Sequence, residues 1–582
     1  MSLLCPMKSQ LKMGAILIVA IQVLAGCWVV NHRFVREPRK DAKPIKVSKE
    51  FEALGKYNAL RACYDVIHYA IEIEPNPDTK TITGSVVFTC RLDSVSDSLQ
   101  FDLHKNLDIK GIYIEDDTEP IAFFRTYRAI QFSVKDYKIK QGDVFKFRVE
   151  YGGKPLKAKK PPWKGGTVWK KDSNKNPWLG VACETDGASI WMPCKDHNLD
   201  EPDSVSVSVV CKNTVTGVSN GRLISVDTLD NQKLKFNWAT SYPINNYNIT
   251  YYVGDFVEIK DTLNATRGLV NVSHYVLRNN ESKATEHFQQ VHDIFHFYEK
   301  TFGPYSWVKD GFKLVEAPYA GMEHQTAIAY GSGYKNRAIV HSDYIILHEA
   351  AHEWWGNSIS ATDFAHIWIH EGLATYSEAL FAEHLGGEDS YFNKIRYDKI
   401  FIQNKRPVVG PEDLMYFNFK ESDCYMKGSV VMATLRSVLE NDSLFFKIIK
   451  TFYAENEKQL VNTTNFVDAV NNITGKNYEW FFNQYLYDRH VPTLEQFVSF
   501  DGFIYHRWTN CNTDFKMELD VEVDNVKYRI KPTTSLSRTE IHKTGTEHTY
   551  SFDNYAKYYR WDKENEELKA EFEESMIEFI NP

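Results

Sequence analysis

His348-Glu349-Ala350-Ala351-His352, with Trp368-Ile369-His370-Glu371-Gly372 following it, decides how this chain of 582 residues is read. Residues four apart on a helix share a face, so both imidazoles can reach one metal ion, while Glu349, turned by one residue, can hold a water beside it. Ser342 is the expected N-cap of that helix and Gly356 its expected stop. A catalytic zinc takes three protein ligands and keeps a fourth position for water, so a third ligand is required downstream. Glu371 follows His352 with eighteen residues between, at the head of a second helical pattern that reaches Leu385. The expected ligands of one Zn2+ per chain are therefore His348, His352 and Glu371, with Glu349 as general base. His341, His366 and His370 lie close in sequence, but the set is complete without them. Glu378 shares the helical face of Glu371 and is placed either to orient a ligand from behind or to sit on the helix surface.

Outward from this segment the hydrophobic period changes twice. Apolar residues alternate from Ile67 to Ile73, a turn follows at Pro75-Asn76-Pro77-Asp78, and Val86-Val87-Phe88 resumes the alternation, which is a hairpin pattern. Similar runs recur to about Val257. From Ala284 the spacing of Phe288, Val291, Ile294, Phe295 and Tyr298 is helical, and helical patterns continue to about Tyr487. After Val491-Pro492 alternation returns at 517–523 and 528–530. The expected fold class is multidomain α+β: an N-terminal β-saddle or sandwich over 61–260, a mostly α catalytic domain over 261–490 and a small C-terminal β-sandwich over 491–582.

At the N-terminus, Lys8 and Lys12 precede an apolar run over 14–25 that closes in Leu24-Ala25-Gly26-Cys27. Residues 1–27 read as a signal segment whose end resembles a bacterial lipoprotein box, and 28–60 as a charged tether. Arg33, Arg36, Arg39 and Lys40 beyond the run disfavour an uncleaved signal anchor, the alternative reading. The expected location is membrane-associated and outside the cytoplasm, periplasmic or cell-surface. A net charge of -9 gives no basic footprint for the chain as a whole, which argues against nucleic acid as partner. The nine cysteines form no CxxC pair, so neither a cysteine zinc site nor a disulfide scaffold is indicated.

Four separated motifs make the sequence resemble the membrane alanyl aminopeptidase family, which also contains leukotriene hydrolase. They are the His-Glu-x-x-His set with Glu371; Ala320-Gly321-Met322-Glu323-His324; Tyr425-Met426-Lys427-Gly428; and Trp191-Met192-Pro193-Cys194-Lys195-Asp196. The resemblance implies a β-saddle, a thermolysin-like catalytic domain and a β-sandwich, and a chain without the helical C-terminal domain of many members. It implies that Glu323 holds a peptide's α-ammonium, that Gly321 and Met322 line the substrate, and that Tyr425 hydrogen-bonds the oxyanion. His324 departs from the motif's Asn. Glu184, where the resemblance leads one to expect Gln, could join Glu323 at the ammonium or hold a proton. The implied activity is removal of single residues from peptides with a free N-terminus. The rivals are a thermolysin-like endopeptidase, a leukotriene-type epoxide hydrolase and a non-catalytic binding protein.

Overall fold

The computed structural model describes residues 45–414, 423–499, 502–541, 549–552, 555–562 and 570. The signal segment, Cys27 and the first part of the tether lie outside the described residues. The end of the expected tether does not behave as one. Lys49–Gly55 and Ala59–Ala62 are helical, with Ser48 and Asn58 as N-caps, because Leu54 is buried and Arg61 makes a buried ion pair with Asp102 at 2.7 Å. The folded body therefore starts before residue 60.

The hairpin read from the alternation is present: Tyr64–Asn76 pairs antiparallel with Thr81–Leu92. It forms the middle of a seven-stranded sheet in the order Arg222–Leu229, Lys233–Ala239, Ser204–Lys212, Tyr64–Asn76, Thr81–Leu92, Val144–Gly153, Leu107–Ile114. Alternate residues of these strands point inward, and Tyr69, Phe88, Phe101 and Phe147 meet in one aromatic core, with Phe88 stacked on Phe147 at 4.2 Å. A second, four-stranded sheet contains Pro177–Ala182 and Gly166–Lys171. The segment after Pro177–Ala182 carries Glu184.

The expected boundary at 260 falls inside a strand. Phe256–Ala265 pairs with Gly268–Leu277, and the two open a five-stranded sheet that continues through Leu314–Glu316 and Ile328–Tyr330 to an edge strand, Gly321–Met322. The periodic run from Ala284 is two helices, Glu281–His287 and Gln290–Thr301, broken at Phe288. Three further helices carry the central chemistry: α1, Tyr344–Ala351; α2, Trp368–Phe401, kinked at Gly387 (φ 72°); and α3, Asp423–Leu439. Lys43–Ile395 and Val408–Tyr478 form one compact unit, so the β-domain and the catalytic part are not separate bodies. A second unit, Arg396–Pro407 with Glu479–Pro582, starts before the expected 491 because helix Glu479–Tyr485 belongs to it. Its described strands form a four-stranded and a three-stranded sheet around Trp508, Phe515 and Met517, each at most 1% exposed. Among the described residues no helix is long and apolar enough to cross a membrane.

Helix α1 is capped by Asp343 rather than by Ser342. One Asp343 oxygen accepts from Ile345 N at 2.9 Å, and the other accepts from Tyr330, Ser332 and His287 at 2.8, 2.5 and 2.8 Å. Ser342 instead donates to Gln290. Removing a fully buried cap strands its donors, so Asp343→Ala should destabilise this unit by about 3 kcal/mol. Asp343→Asn, which keeps an acceptor for Ile345 N, should lose less in a urea titration. Equal midpoints for the two variants would leave the cap without energetic weight.

Candidate metal centre and active site

Both imidazoles of α1 are oriented from behind. His348 Nδ1 donates to Glu378 at 2.7 Å, and His352 Nδ1, at the helix C-cap, donates to the Trp355 carbonyl at 2.8 Å. Each ring is thereby fixed in the tautomer that leaves its Nε2 lone pair facing inward. The two Nε2 atoms stand 3.3 Å apart, and Glu371 Oε2 lies 3.3 Å from one and 3.4 Å from the other. Three acceptors in a buried triangle with no proton between them repel unless a cation sits among them. A tetrahedral zinc with bonds of ~2.0–2.1 Å spaces its ligands by ~3.3 Å, so the triangle has the size that ion requires. These residues fit a metal, and they are the ones expected from the sequence.

Glu378 is a buried group behind the ligands, not a surface one. It bridges His348 and Lys394, which lies 3.1 Å away and is 2% exposed. The other histidines go elsewhere. His341 bonds Ser390, His366 bonds Thr463 and Glu412, and His370 accepts from Ala361 N at 2.7 Å.

Glu323, Glu349 and His352 form a second group whose ligand atoms lie within 4.8 Å of one another, and Glu184, Glu323 and Glu371 form a third. Four carboxylates thus crowd one buried space. Burial is the largest influence on Glu349, holding it up at about 8 although His348 and His352 pull it down. Burial likewise raises Glu323 and, with Glu323, Glu371 and Glu349 as like charges, raises Glu184 well above the usual carboxylate range. Burial opposes ionisation of Glu371 too, but the adjacent His348 and His352 rings outweigh it and hold it well below that range. Glu184 Oε1 and Glu323 Oε1 are buried with no hydrogen-bond partner among the described residues.

Glycines allow these groups to meet. A Cβ on Gly321 would strike the Glu349 carboxylate, so the edge strand can pass over α1 only with glycine there. Met322, by contrast, is 2% exposed and its side chain belongs to the hydrophobic core, which leaves its backbone as the part that can face a substrate. Gly372 of α2 and Gly428 of α3 face each other: a Cβ on Gly428 would lie 2.7 Å from Gly372 Cα. That close approach brings the Tyr425 ring over His348 with centroids 6.1 Å apart and its hydroxyl to Glu371. The fourth motif is structural. Asp196 accepts from Ala188 N and Ser189 N at 3.1 and 3.0 Å and holds the turn that follows Glu184. His324, the departure from the motif, is fully buried on Tyr252 at 2.6 Å.

The chain contains a Peptidase family M1 domain over residues 286–485 and a Peptidase M1 N-terminal domain over residues 66–247. It belongs to peptidase family M1. Aminopeptidase B of Rattus norvegicus is 21% identical over 535 residues, covering 82% of this chain and 73% of the relative. Aminopeptidase N of Escherichia coli (strain K12) is 23% identical over 309 residues, 48% of this chain and 35% of the relative. The chain spans only 40% of the length of glutamyl aminopeptidase of Rattus norvegicus, at 22% identity over 65% of this chain. Among solved structures, Legionella pneumophila aminopeptidase A in complex with aspartic acid matches with TM-score 0.72 at 16% identity, over 90% of this chain and 61% of that one. A mutant M1 zinc metallopeptidase of Deinococcus radiodurans bound to a Tyr-Ser-Ala substrate matches with TM-score 0.62 at 18% identity, over 74% and 96%. At these identities the structures establish the M1 fold.

Sequence reasoning missed Lys394, Asn357 and Lys313. Lys394 lies beyond the Gly387 kink, where helical phase is lost, and Asn357 and Lys313 act on backbone carbonyls, for which a sequence carries no signal. Gly428→Ala tests the helix contact by its sign. In an isolated helix the change should stabilise by about 1 kcal/mol. Here the forced separation from Gly372 should destabilise by about 1–3 kcal/mol and lower turnover, measured by thermal melting and peptide hydrolysis. A raised melting temperature with full activity would remove the close-approach account.

Proposed function

We propose that this M1 peptidase is an aminopeptidase that hydrolyses the first peptide bond of peptides with a free N-terminus, using one zinc ion held by His348, His352 and Glu371. The observation that carries the reading is that Glu184 and Glu323, whose carboxylates come within 4.8 Å of each other and of Glu371, each keep a buried oxygen with no partner among the described residues. One cation answers the triangle of ligands, and a second, the substrate's α-ammonium, answers Glu184 and Glu323. A thermolysin-like endopeptidase has no use for that second anionic site, and the relatives and solved structures of this fold are aminopeptidases and M1 metallopeptidases by name.

A zinc ion in this site supplies Lewis acidity and a water whose proton is easily lost near neutral pH. Glu349, beside His352 and turned off the ligand face, takes the proton of the attacking water and delivers it to the leaving amine. The Tyr425 hydroxyl, over His348, donates to the carbonyl oxygen as negative charge develops there. The backbone of Gly321–Met322, at the sheet edge, aligns the peptide. Glu323 and Glu184 fix the ammonium, so only the first peptide bond lies at the reacting position.

Breaking a desolvated charge pair of this kind costs about 2–5 kcal/mol. Glu323→Ala should therefore lower kcat/KM on aminoacyl substrates by about two to three orders of magnitude, and wild-type protein should discriminate against N-acetylated peptides to a similar degree. Glu184→Gln, which still offers an oxygen to the ammonium, should be milder, and chelation should abolish hydrolysis in all forms. Internal cleavage of acetylated peptides at rates comparable with free ones would replace the reading with an endopeptidase.

For location, we infer a lipoprotein-like attachment through Cys27, outside the cytoplasm, supported by the Leu24-Ala25-Gly26-Cys27 sequence and the basic residues before the apolar run. Cys27→Ser should abolish incorporation of a palmitate analogue in a bacterial host. Unchanged labelling of the variant would refute the lipoprotein reading.

A further inference from the structure

A basic, tryptophan-bearing loop projects from the N-terminal β-domain; Leu156 and Ala158 at its base pack against the core, and its lysines and Trp163 are used neither there nor at the zinc site. Between residues 151 and 171 the sequence holds Lys154, Lys157, Lys159, Lys160, Lys164, Lys170 and Lys171 and no carboxylate, although the chain as a whole carries -9. All seven lysines are exposed. The loop is ordered rather than floppy. Lys160 and Lys164 exchange backbone hydrogen bonds across Pro161-Pro162-Trp163, of 2.8 Å from Lys164 N and 3.4 Å from Lys160 N. At its base Thr167 N donates to Leu156 O at 2.7 Å, and Gly165 N donates to Asp186 at 2.7 Å. Trp163 is 41% exposed at the tip, with Lys160 Nζ 5.3 Å from its ring.

A surface cleft of about 460 Å³ lies against this loop, lined by Lys157, Lys159, Trp163 and Lys164 on one side and by Lys46, on the chain leading to the N-terminal segment, on another. The carboxylates there are already engaged: Glu50 pairs with Arg128 at 2.6 Å, and Asp186 holds Gly165 N. Among the described residues, none of Lys46, Lys157, Lys159, Lys160 and Lys164 has an ion-pair partner. An ordinary solvated face mixes both signs of charge. A face with one sign, a tryptophan at its apex and an open cleft between has the composition that meets the boundary of an anionic bilayer.

We propose that this loop and the adjoining cleft dock on an anionic lipid surface, with Lys157, Lys159, Lys160 and Lys164 facing phosphate headgroups and Trp163 at the headgroup level. The placement of Lys46 selects a membrane over a soluble polyanion as occupant. The N-terminal segment enters the body at this cleft, and the stretch from residue 27 to residue 46 spans at most roughly 65 Å when extended. An attachment of that segment to a bilayer keeps this cleft within that distance of the surface, and the lysines then set which way the body rests on it. The surface itself requires neither the aminopeptidase reading nor a particular form of attachment.

The full chain, added to vesicles of phosphatidylcholine alone or with about one-third phosphatidylglycerol, should be footprinted with an amine-reactive reagent and read by mass spectrometry. Labelling of Lys157, Lys159, Lys160 and Lys164 should fall at least about fivefold on the anionic vesicles relative to the neutral ones and recover at high salt, while Lys450 and Lys527 are unchanged. Replacing the four lysines with Gln should reduce partitioning onto anionic vesicles at least about tenfold without altering that onto neutral ones. Because the positions are exposed, an unchanged melting curve will show that the variant is folded. Equal labelling on both vesicle types, or protection by a soluble polyglutamate peptide but not by vesicles, would overturn the proposal, the latter assigning the face to acidic polypeptides. An unaltered anionic preference in the four-lysine variant would overturn it as well.

Discussion

Four carboxylates and two imidazole lone pairs share one buried space, and most of what is built around them follows from keeping that charge in place. Glu184, Glu323, Glu349 and Glu371 are each 6% exposed or less, and their ligand atoms link into overlapping groups no wider than 4.8 Å. Unpaired ionised groups in such surroundings repel one another and lose hydration worth several kcal/mol each. The arrangement persists because rigid elements hold it and because its geometry suits cations. The 3.3–3.4 Å triangle has the size a small divalent ion requires, and Glu184 and Glu323 each keep a buried oxygen with no hydrogen-bond partner among the described residues.

Glycine positions do as much for this space as the charged residues. Gly321 lets an edge strand pass beside Glu349, and the Gly372–Gly428 contact lets α2 and α3 approach until Tyr425 reaches Glu371. Three of the four motifs thus pair a polar group placed at the site with a glycine that permits close approach. Gly187 has the same relation to Glu184. Its φ of 78° and the proximity of the Asp196 carboxylate exclude a side chain in the turn that Asp196 clamps.

The ligand helix, the first hairpin and the return of alternation near 517 were legible in the sequence because each depends on local periodicity, which neighbouring residues alone determine. The rest depended on partners distant in sequence. Asp343 and Ser342 are equally good caps by type, and only the positions of Tyr330, Ser332 and His287 select Asp343. The strand Phe256–Ala265 alternates like those before it, and its assignment to the catalytic sheet rests on pairing with Gly268–Leu277, which leads to Leu314–Glu316. Residues 49–60 looked like tether because they are charged, yet Glu50 is paired with Arg128, and the adjoining Arg61 with Asp102, inside the fold. Composition reports how much charge a segment carries, not whether a partner exists.

The spacing between the His348–His352–Glu371 triangle and the Glu323 carboxylate is set by backbone clamps rather than by the carboxylates themselves. Like charges at Glu371 and Glu349 push Glu323 outward, and the bond of its carboxylate to its own backbone N–H does not tie it to the ligand segment. Its main chain does: Asn357, five residues past the ligand His352, donates to Glu323 O at 2.9 Å, Asn220 donates to Gln325 O at 2.7 Å, and Lys313 donates to Thr326 O at 2.7 Å. Thr326 sits at φ +57°, a strained position for a β-branched residue, and its N–H is held by Glu353, next to His352, at 2.8 Å. Both ends of the Glu323 loop are therefore fastened to the segment that bears the ligands. Under that constraint the Glu323 carboxylate can neither retreat from the His348–His352–Glu371 triangle nor slide along it, and the distance between the two is fixed by the fold.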